Sequence, residues 1–154
     1  MKTLLYVDDS ADDRLLVQRA CRKARVSFGL QTLESGVEAI RYLNGEGKFA
    51  DREEHPLPDL ILLDLKMPAM DGFQVLSWIR CNCAMRAVPV ALYTGSLIAE
   101  DIAKGYAEGA DYFITKPPQF GTVIDIVRAV DKCLAADPTN CEALARFSAP
   151  EEGG

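Results

Sequence analysis

Carboxylates stand directly after two apolar stretches of this chain. Asp8 and Asp9 end the segment LLYVDD, and Asp64 follows the aliphatic run of ILLDLKMPAMDGF. A carboxylate that leaves water is costly in free energy unless it is paired, hydrogen-bonded or bound to a metal. The sequence therefore predicts a compensating positive charge beside Asp64.

Two further apolar stretches end in groups that bind anionic oxygens. These groups are Thr94, Gly95 and Ser96 in LYTGS, and Lys116 with Pro117 in FITKPP. Three converging carboxylates repel one another, so one would hold a proton unless a cation balances them. Mg²⁺ prefers oxygen ligands, and Lys116 adds a second positive charge. Such a site fits a phosphoryl group, with Asp64 as the nucleophile that accepts it.

The elements that must position these groups are five short strands alternating with five helices. We predict strands at residues 3–7, 30–34, 59–64, 88–93 and 112–115. Helices are predicted at residues 11–25, 97–108 and 120–136, and two more open at Ser35 and at Asp71. This alternation predicts a parallel sheet with helices on both faces. The strand ends then lie along one edge of the sheet, where the polar groups meet.

Composition restricts the classes of function. The 154 residues suit one domain at 1–136, followed by an extension at 137–154 with a short helix and a disordered end. The net charge of −6 disfavours nucleic-acid and anionic-membrane partners. Without a signal peptide or a membrane-spanning run, the five cysteines are interpreted as reduced thiols of a cytoplasmic protein. The charged segment 44–58, with His55, is interpreted as a solvated loop.

Four segments in order resemble the response-regulator receiver domain of two-component signalling. They are VDDS, ILLDLKMPAMDGF, YTGS and TKP, and the resemblance covers residues 3–135. It implies a stand-alone, chemotaxis-regulator-like receiver with the flavodoxin-like (βα)5 fold and strand order 2-1-3-4-5. It also implies that a sensor histidine kinase phosphorylates Asp64. The metal, Mg²⁺ or Mn²⁺, would be held by Asp8, Asp9, Asp64 and the backbone carbonyl of Lys66.

The resemblance assigns roles to the remaining site residues. Thr94 and Lys116 would bind the phosphoryl oxygens, and Gly95 would leave room for them. Thr94 and Phe113 would form the conformational switch, although many relatives carry tyrosine where this chain has Phe113. Lys66, where many relatives have asparagine, and Ser96 would tune the lifetime of the phosphate. The Lys116–Pro117 peptide bond would be cis.

Partners and alternatives follow from the same resemblance. The long loop before the third strand and the segment DLILLDL resemble the regulators that partner bacterial phytochromes. The fourth helix, fifth strand and fifth helix would form a homodimer interface.

Two alternative functions remain open: a phosphorelay intermediate, and a pseudo-receiver that binds partners without phosphorylation. The chain would be no enzyme beyond its own phosphorylation and dephosphorylation. A small-molecule phosphotransferase would need an acid where Lys66 stands, and DDSADD would repel the phosphate of FMN.

Overall fold

Five parallel strands and five helices alternate along the chain in the computed structural model, which describes residues 1–151. The strands are β1 Thr3–Val7, β2 Gly29–Leu33, β3 Leu60–Leu63, β4 Val90–Thr94 and β5 Tyr112–Thr115. The helices are α1 Ala11–Ala24, α2 Gly36–Asn44, α3 Gly72–Cys81, α4 Ala99–Ala107 and α5 Phe120–Ala135. The strand order β2-β1-β3-β4-β5 confirms the predicted flavodoxin-like fold.

The central strands are buried on both faces, which explains their unbroken apolar sequences. Alternate residues of each strand face opposite sides of the sheet, so β3 divides its side chains between two cores. Leu60 and Leu62 lie in the core that includes residues of α1 and α5. Ile61 and Leu63 lie in the core that includes residues of α2 and α3. The helices thus cover both faces of the sheet and leave its carboxyl edge, where the strands end, accessible to a ligand.

Side-chain caps fix three of the helix starts. Ser10 accepts from the amide of Asp13, Ser35 from that of Glu38, and Asp71 from that of Gln74. The predicted starts of these helices are confirmed. Ser35 and Glu38 form only half of a capping box, because the Glu38 side chain accepts from the amide of Glu34 and not from that of Ser35. Helix α4 begins at Ala99, two residues later than predicted, and has no side-chain cap.

The charged segment before β3 is anchored to the domain, contrary to the prediction of a solvated loop. Phe49 is buried, and His55 packs edge-on against the rings of Tyr42 and Phe49. The guanidinium of Arg52 donates to the carbonyls of Tyr42 and Leu43 at the end of α2. The segment therefore satisfies the last carbonyls of a helix while it buries an aromatic cluster.

The extension after α5 also packs on the domain. Its predicted short helix is the 3₁₀ helix Glu142–Phe147, in which Leu144 is fully buried. Beyond it, Ser148 and Ala149 bond to the backbone of Phe113 in β5: the Ser148 hydroxyl accepts from the Phe113 amide (2.9 Å), and the Ala149 amide donates to the Phe113 carbonyl (2.7 Å). The terminal residues 152–154, part of the end predicted to be disordered, lie outside the described residues. No helix within residues 1–151 has the length and apolar character needed to cross a membrane.

Candidate functional site

Three carboxylates meet at the carboxyl edge of the sheet, as predicted. Strands β1 and β3 are neighbours, and the Asp64 amide donates to the Val7 carbonyl at 2.9 Å. Asp8 and Asp64 therefore leave adjacent strands side by side. One oxygen from each of Asp8, Asp9 and Asp64 lies within 4.8 Å of the others. Asp8 and Asp64 are 0% and 4% exposed, whereas Asp9 is exposed and opens the cluster to solvent.

Lys116 supplies the positive charge that the buried carboxylates require. Its Nζ lies 2.8 Å from Asp8, 2.8 Å from Asp13 and 3.5 Å from Asp64. Burial alone would lower the pKa of Lys116. Its hydrogen bonds to Asp13 and Asp8 and the nearby negative charges outweigh burial and raise the pKa above the ordinary value. The lysine is therefore a permanent cation at neutral pH.

Asp64 stays difficult to ionise in spite of this cation. Burial first, and then the charge of Asp8, raises the pKa of Asp64 from 3.8 to about 6, while Lys116 opposes the rise. Asp8 is better compensated, because the Tyr6 hydroxyl and the Ser10 amide both donate to its carboxylate. Of the two buried carboxylates, Asp64 is therefore the one whose negative charge is less well compensated.

The donor set fits a hard divalent cation. It offers three carboxylates, one of them open to water, and Mg²⁺ commonly binds through few carboxylates while retaining waters. The Lys66 carbonyl is also available, because no hydrogen-bond donor within residues 1–151 occupies it. Asp8, Asp9, Asp64 and this carbonyl therefore fit the predicted metal ligands in type.

Thr94 ends β4 next to this cluster. It is buried, and its hydroxyl accepts from the amide of Ser96 at 3.4 Å. A methyl group placed on Gly95 would meet no atom within 4 Å, so the space beside Thr94 is open. Phe113 lies on the neighbouring strand with its ring fully buried, and a methyl group on Gly105 of α4 would lie 3.2 Å from that ring. The predicted switch pair therefore occupies adjacent strands, with the aromatic side chain inward.

The predicted cis bond before Pro117 is wrong. The Lys116–Pro117 bond is trans, and the cis peptide bond of the described residues is Asp137–Pro138. A proline amide favours trans by about 0.5–1 kcal/mol unless its surroundings impose cis. In the trans form the Lys116 amide already donates to the Thr94 carbonyl at 2.7 Å, and its ammonium reaches Asp8.

Sequence reasoning missed two acids of the site. Asp13 lies in the first turn of α1, where an acid favours the helix, and it is also a partner of Lys116. Asp101, in the first turn of α4, contacts both Lys66 and Ser96. The sequence could have indicated these two acids by their position, because the first turns of α1 and α4 follow the ends of β1 and β4 within a few residues.

Part of the predicted dimer surface is covered by the chain itself. The Tyr106 hydroxyl on α4 hydrogen-bonds to Ser148 at 2.7 Å and donates to the Ala149 carbonyl. Ser148 also forms an antiparallel bridge with Ile114 on β5. The extension thus occupies the exposed edge of β5 and the end of α4.

Comparison with known proteins agrees with this arrangement. Residues 4–128 match the response regulator receiver domain family. The curated response regulator Rcp1 of Synechocystis sp. is 31% identical over 130 residues, which cover 84% of this chain and 86% of that protein.

Solved structures show the same similarity. The phosphorylated cyanobacterial phytochrome response regulator RcpA superposes with a TM-score of 0.77 at 32% identity, covering 85% of this chain and 91% of that one. The Mn²⁺-bound form of response regulator Rcp1 superposes with a TM-score of 0.75 at 30% identity, covering 86% and 93%. The acidic cluster, the lysine opposite it and these similarities lead to one conclusion: the chain belongs to the response regulator receiver domain family of two-component systems.

Proposed function

We propose that this protein is a stand-alone response regulator whose Asp64 accepts a phosphoryl group from the phosphohistidine of a sensor histidine kinase. The observation that carries the proposal is the position of Asp64, at the end of a buried strand between Asp8 and Lys116. In the transfer, an Asp64 oxygen bonds to phosphorus while the bond from phosphorus to the histidine nitrogen breaks. The electron pair of that bond stays on the imidazole.

The charges around Asp64 favour the phosphoryl group over the free carboxylate. A bound Mg²⁺ or Mn²⁺ would supply positive charge to the phosphoryl oxygens, and Asp8, Asp9, Asp64 and the Lys66 carbonyl would hold it. Lys116 donates to a phosphoryl oxygen from the other side, because its ammonium already lies 3.5 Å from the Asp64 carboxylate. Conversion of the free carboxylate to an acyl phosphate also moves the charge outward, away from buried Asp8.

The signal leaves the site through Thr94 and Phe113. The Thr94 hydroxyl turns to donate to a phosphoryl oxygen, in the open space that Gly95 leaves. The neighbouring strand carries Phe113, so a change at Thr94 reaches the surface formed by α4, β5 and α5. We place the homodimer contact on the part of this surface that the C-terminal extension leaves uncovered. Lys66 and Ser96 border the same opening and set how fast water removes the phosphate.

The kinase partner is of the phytochrome type. This part of the proposal is supported by similarity to RcpA, whose description names it as a cyanobacterial phytochrome response regulator. Signalling then proceeds through phosphorylation-dependent protein contacts. Light scattering of the full chain, with and without phosphorylation, tests the homodimer, and a monomer in both states would refute it.

Phosphorylation itself is tested with acetyl phosphate and Mg²⁺, followed by intact-mass measurement. The wild type gains the mass of one phosphoryl group, and Asp64→Asn gains none. Asp125→Asn is a matched control, since it removes a half-exposed carboxylate on α5, and it gains the same mass as the wild type. A wild type that gains no mass, or an Asp64→Asn variant that does, contradicts the proposal.

A further inference from the structure

One carboxylate connects the two chain segments that border the mouth of the site. Asp101 lies in the first turn of α4, with its side chain 16% exposed. Its Oδ2 accepts a hydrogen bond from the Ser96 hydroxyl at 2.6 Å and lies 3.3 Å from the Lys66 ammonium. The Lys66 side chain is 64% exposed, so its contact with Asp101 is what orients this flexible side chain.

The position of Asp101 is itself fixed by hydrogen bonds. The Ser96 hydroxyl that donates to it also accepts from the amide of Ile98, and the Ser96 amide donates to Thr94. The hydrogen bond from Ser96 lowers the pKa of Asp101, burial opposes this, and Lys66 lowers the pKa further. Asp101 is therefore a fixed negative charge beside the loop that follows β4.

The two lysines near Asp64 are thus divided between different acids. Lys116 pairs with Asp8, Asp13 and Asp64, whereas Lys66 pairs with Asp101. Lys66 is only two residues after Asp64, and a long, flexible side chain at that position reaches a phosphoryl group on Asp64. Such a group carries up to two negative charges and competes with Asp101 for the ammonium.

We infer that Asp101 is a positioning residue for loss of the phosphate: it holds the Lys66 ammonium away from the phosphoryl group and so keeps the path of the attacking water open. The inference rests on phosphorylation of Asp64 as proposed above. In hydrolysis a water oxygen bonds to phosphorus while the bond between phosphorus and the Asp64 oxygen breaks. Asp64 regains its carboxylate, and inorganic phosphate and a proton leave. With Lys66 released, its ammonium binds the outer phosphoryl oxygens and obstructs that water.

The test measures the lifetime of phosphorylated protein in four variants: wild type, Asp101→Asn, Lys66→Ala and the double variant. Each is phosphorylated with acetyl phosphate and Mg²⁺ and desalted, and the decline of the phosphorylated mass is followed in time. Asparagine still accepts from Ser96, so Asp101→Asn removes the charge while it keeps the hydrogen bond. We expect Asp101→Asn to lose phosphate about three- to fivefold more slowly than the wild type, as the loss of one exposed ion pair predicts.

The double variant separates positioning from a general structural effect. Because Lys66 is the group that acts, Lys66→Ala should abolish the effect of Asp101→Asn, so the double variant and Lys66→Ala decay at equal rates. If Asp101 had only a structural role, Asp101→Asn would change the rate of phosphate loss by the same factor in the wild type and in Lys66→Ala. Glu100→Gln is the matched control, since Glu100 is the exposed neighbouring acid in the same turn of α4, and it should decay as the wild type does.

The outcomes are distinct. Equal lifetimes of wild type and Asp101→Asn, or an effect that persists without Lys66, overturns the inference. A change of the same size in Glu100→Gln also overturns it, because general charge near α4 would then be the cause. Absence of phosphorylation in every variant contradicts the proposed function instead, since no lifetime then exists to compare.

Discussion

Replacement of Asp64 by asparagine should stabilise the metal-free protein at neutral pH, although it abolishes the proposed activity. Asp64 is 4% exposed, and its pKa is raised from 3.8 to about 6. Each tenfold change in proton affinity corresponds to about 1.4 kcal/mol, so the ionised side chain costs the folded state about 3 kcal/mol at pH 7.5. Asparagine resembles the protonated acid and so avoids most of this cost, which already includes the favourable contact with Lys116. We therefore expect a net gain of about 2 kcal/mol, or about 4–8 °C in Tm.

The direction of the pH dependence follows from the raised pKa. Between pH 3.8 and about 6, folded Asp64 binds more proton than unfolded Asp64 does, so stability falls as pH rises through this window. Below the unfolded pKa of 3.8 the stabilising contribution is fully present, and it is lost as pH rises through about 6. The advantage of Asp64→Asn over the wild type should therefore be largest above pH 7 and small near pH 4.

Urea unfolding in EDTA, followed by the fluorescence of the single tryptophan, Trp78, measures the difference. Asp125→Asn is the control, and its half-exposed side chain predicts a change below about 0.5 kcal/mol. Added Mg²⁺ should stabilise the wild type and have much less effect on Asp64→Asn. An Asp64→Asn variant that is no more stable than the wild type at pH 7.5, or a gain undiminished at pH 4, refutes the reasoning.

Three further predictions concern the scaffold. Gly72→Ala should lower the free energy of unfolding by about 3 kcal/mol, because its methyl group would lie 2.3 Å from a carbonyl oxygen at the end of β3. Gly121 has open space around it, so Gly121→Ala should change this free energy by less than about 1 kcal/mol. Equal effects of the two substitutions would contradict this packing. Ser148→Ala should speed hydrogen exchange of the β5 amide that donates to its hydroxyl by about tenfold, and unchanged protection would show that the extension does not bind there. Native thiol labelling should modify exposed Cys81 and Cys83 before the three buried cysteines, and early labelling of a buried thiol would contradict the described core.

Local sequence pattern predicted the strands and most helix starts closely. Residues 3–7 and 112–115 form strands as predicted, because unbroken runs of apolar and aromatic side chains indicate strands buried on both faces. The start of α4 was less predictable. The helix was predicted from residue 97, but the Ser96 hydroxyl before it donates to Asp101, and the helix begins at Ala99.

The contacts that sequence reasoning missed join distant parts of the chain. Asp13 and Lys116 are 103 positions apart, and no local pattern pairs them. The anchoring of the extension depends likewise on Ser148 meeting Phe113, 35 positions earlier. Motifs predicted which residues gather at the carboxyl edge of the sheet, since topology brings strand ends together. The partners that neutralise or orient those residues depended on side-chain geometry that only the folded structure provides.

Helix α4 is held mainly at its two ends. Among its residues only Gly105 is buried, so the helix rests on the domain through little packed surface. Its first turn is tied to the site through Asp101, and its last turn to the C-terminal extension through Tyr106. A helix that packs through little surface and is held by contacts at both ends can move as a unit at low energetic cost. A displacement of Asp101 beside Lys66 should therefore reach the hydrogen bond between Tyr106 and Ser148 at the other end of the helix.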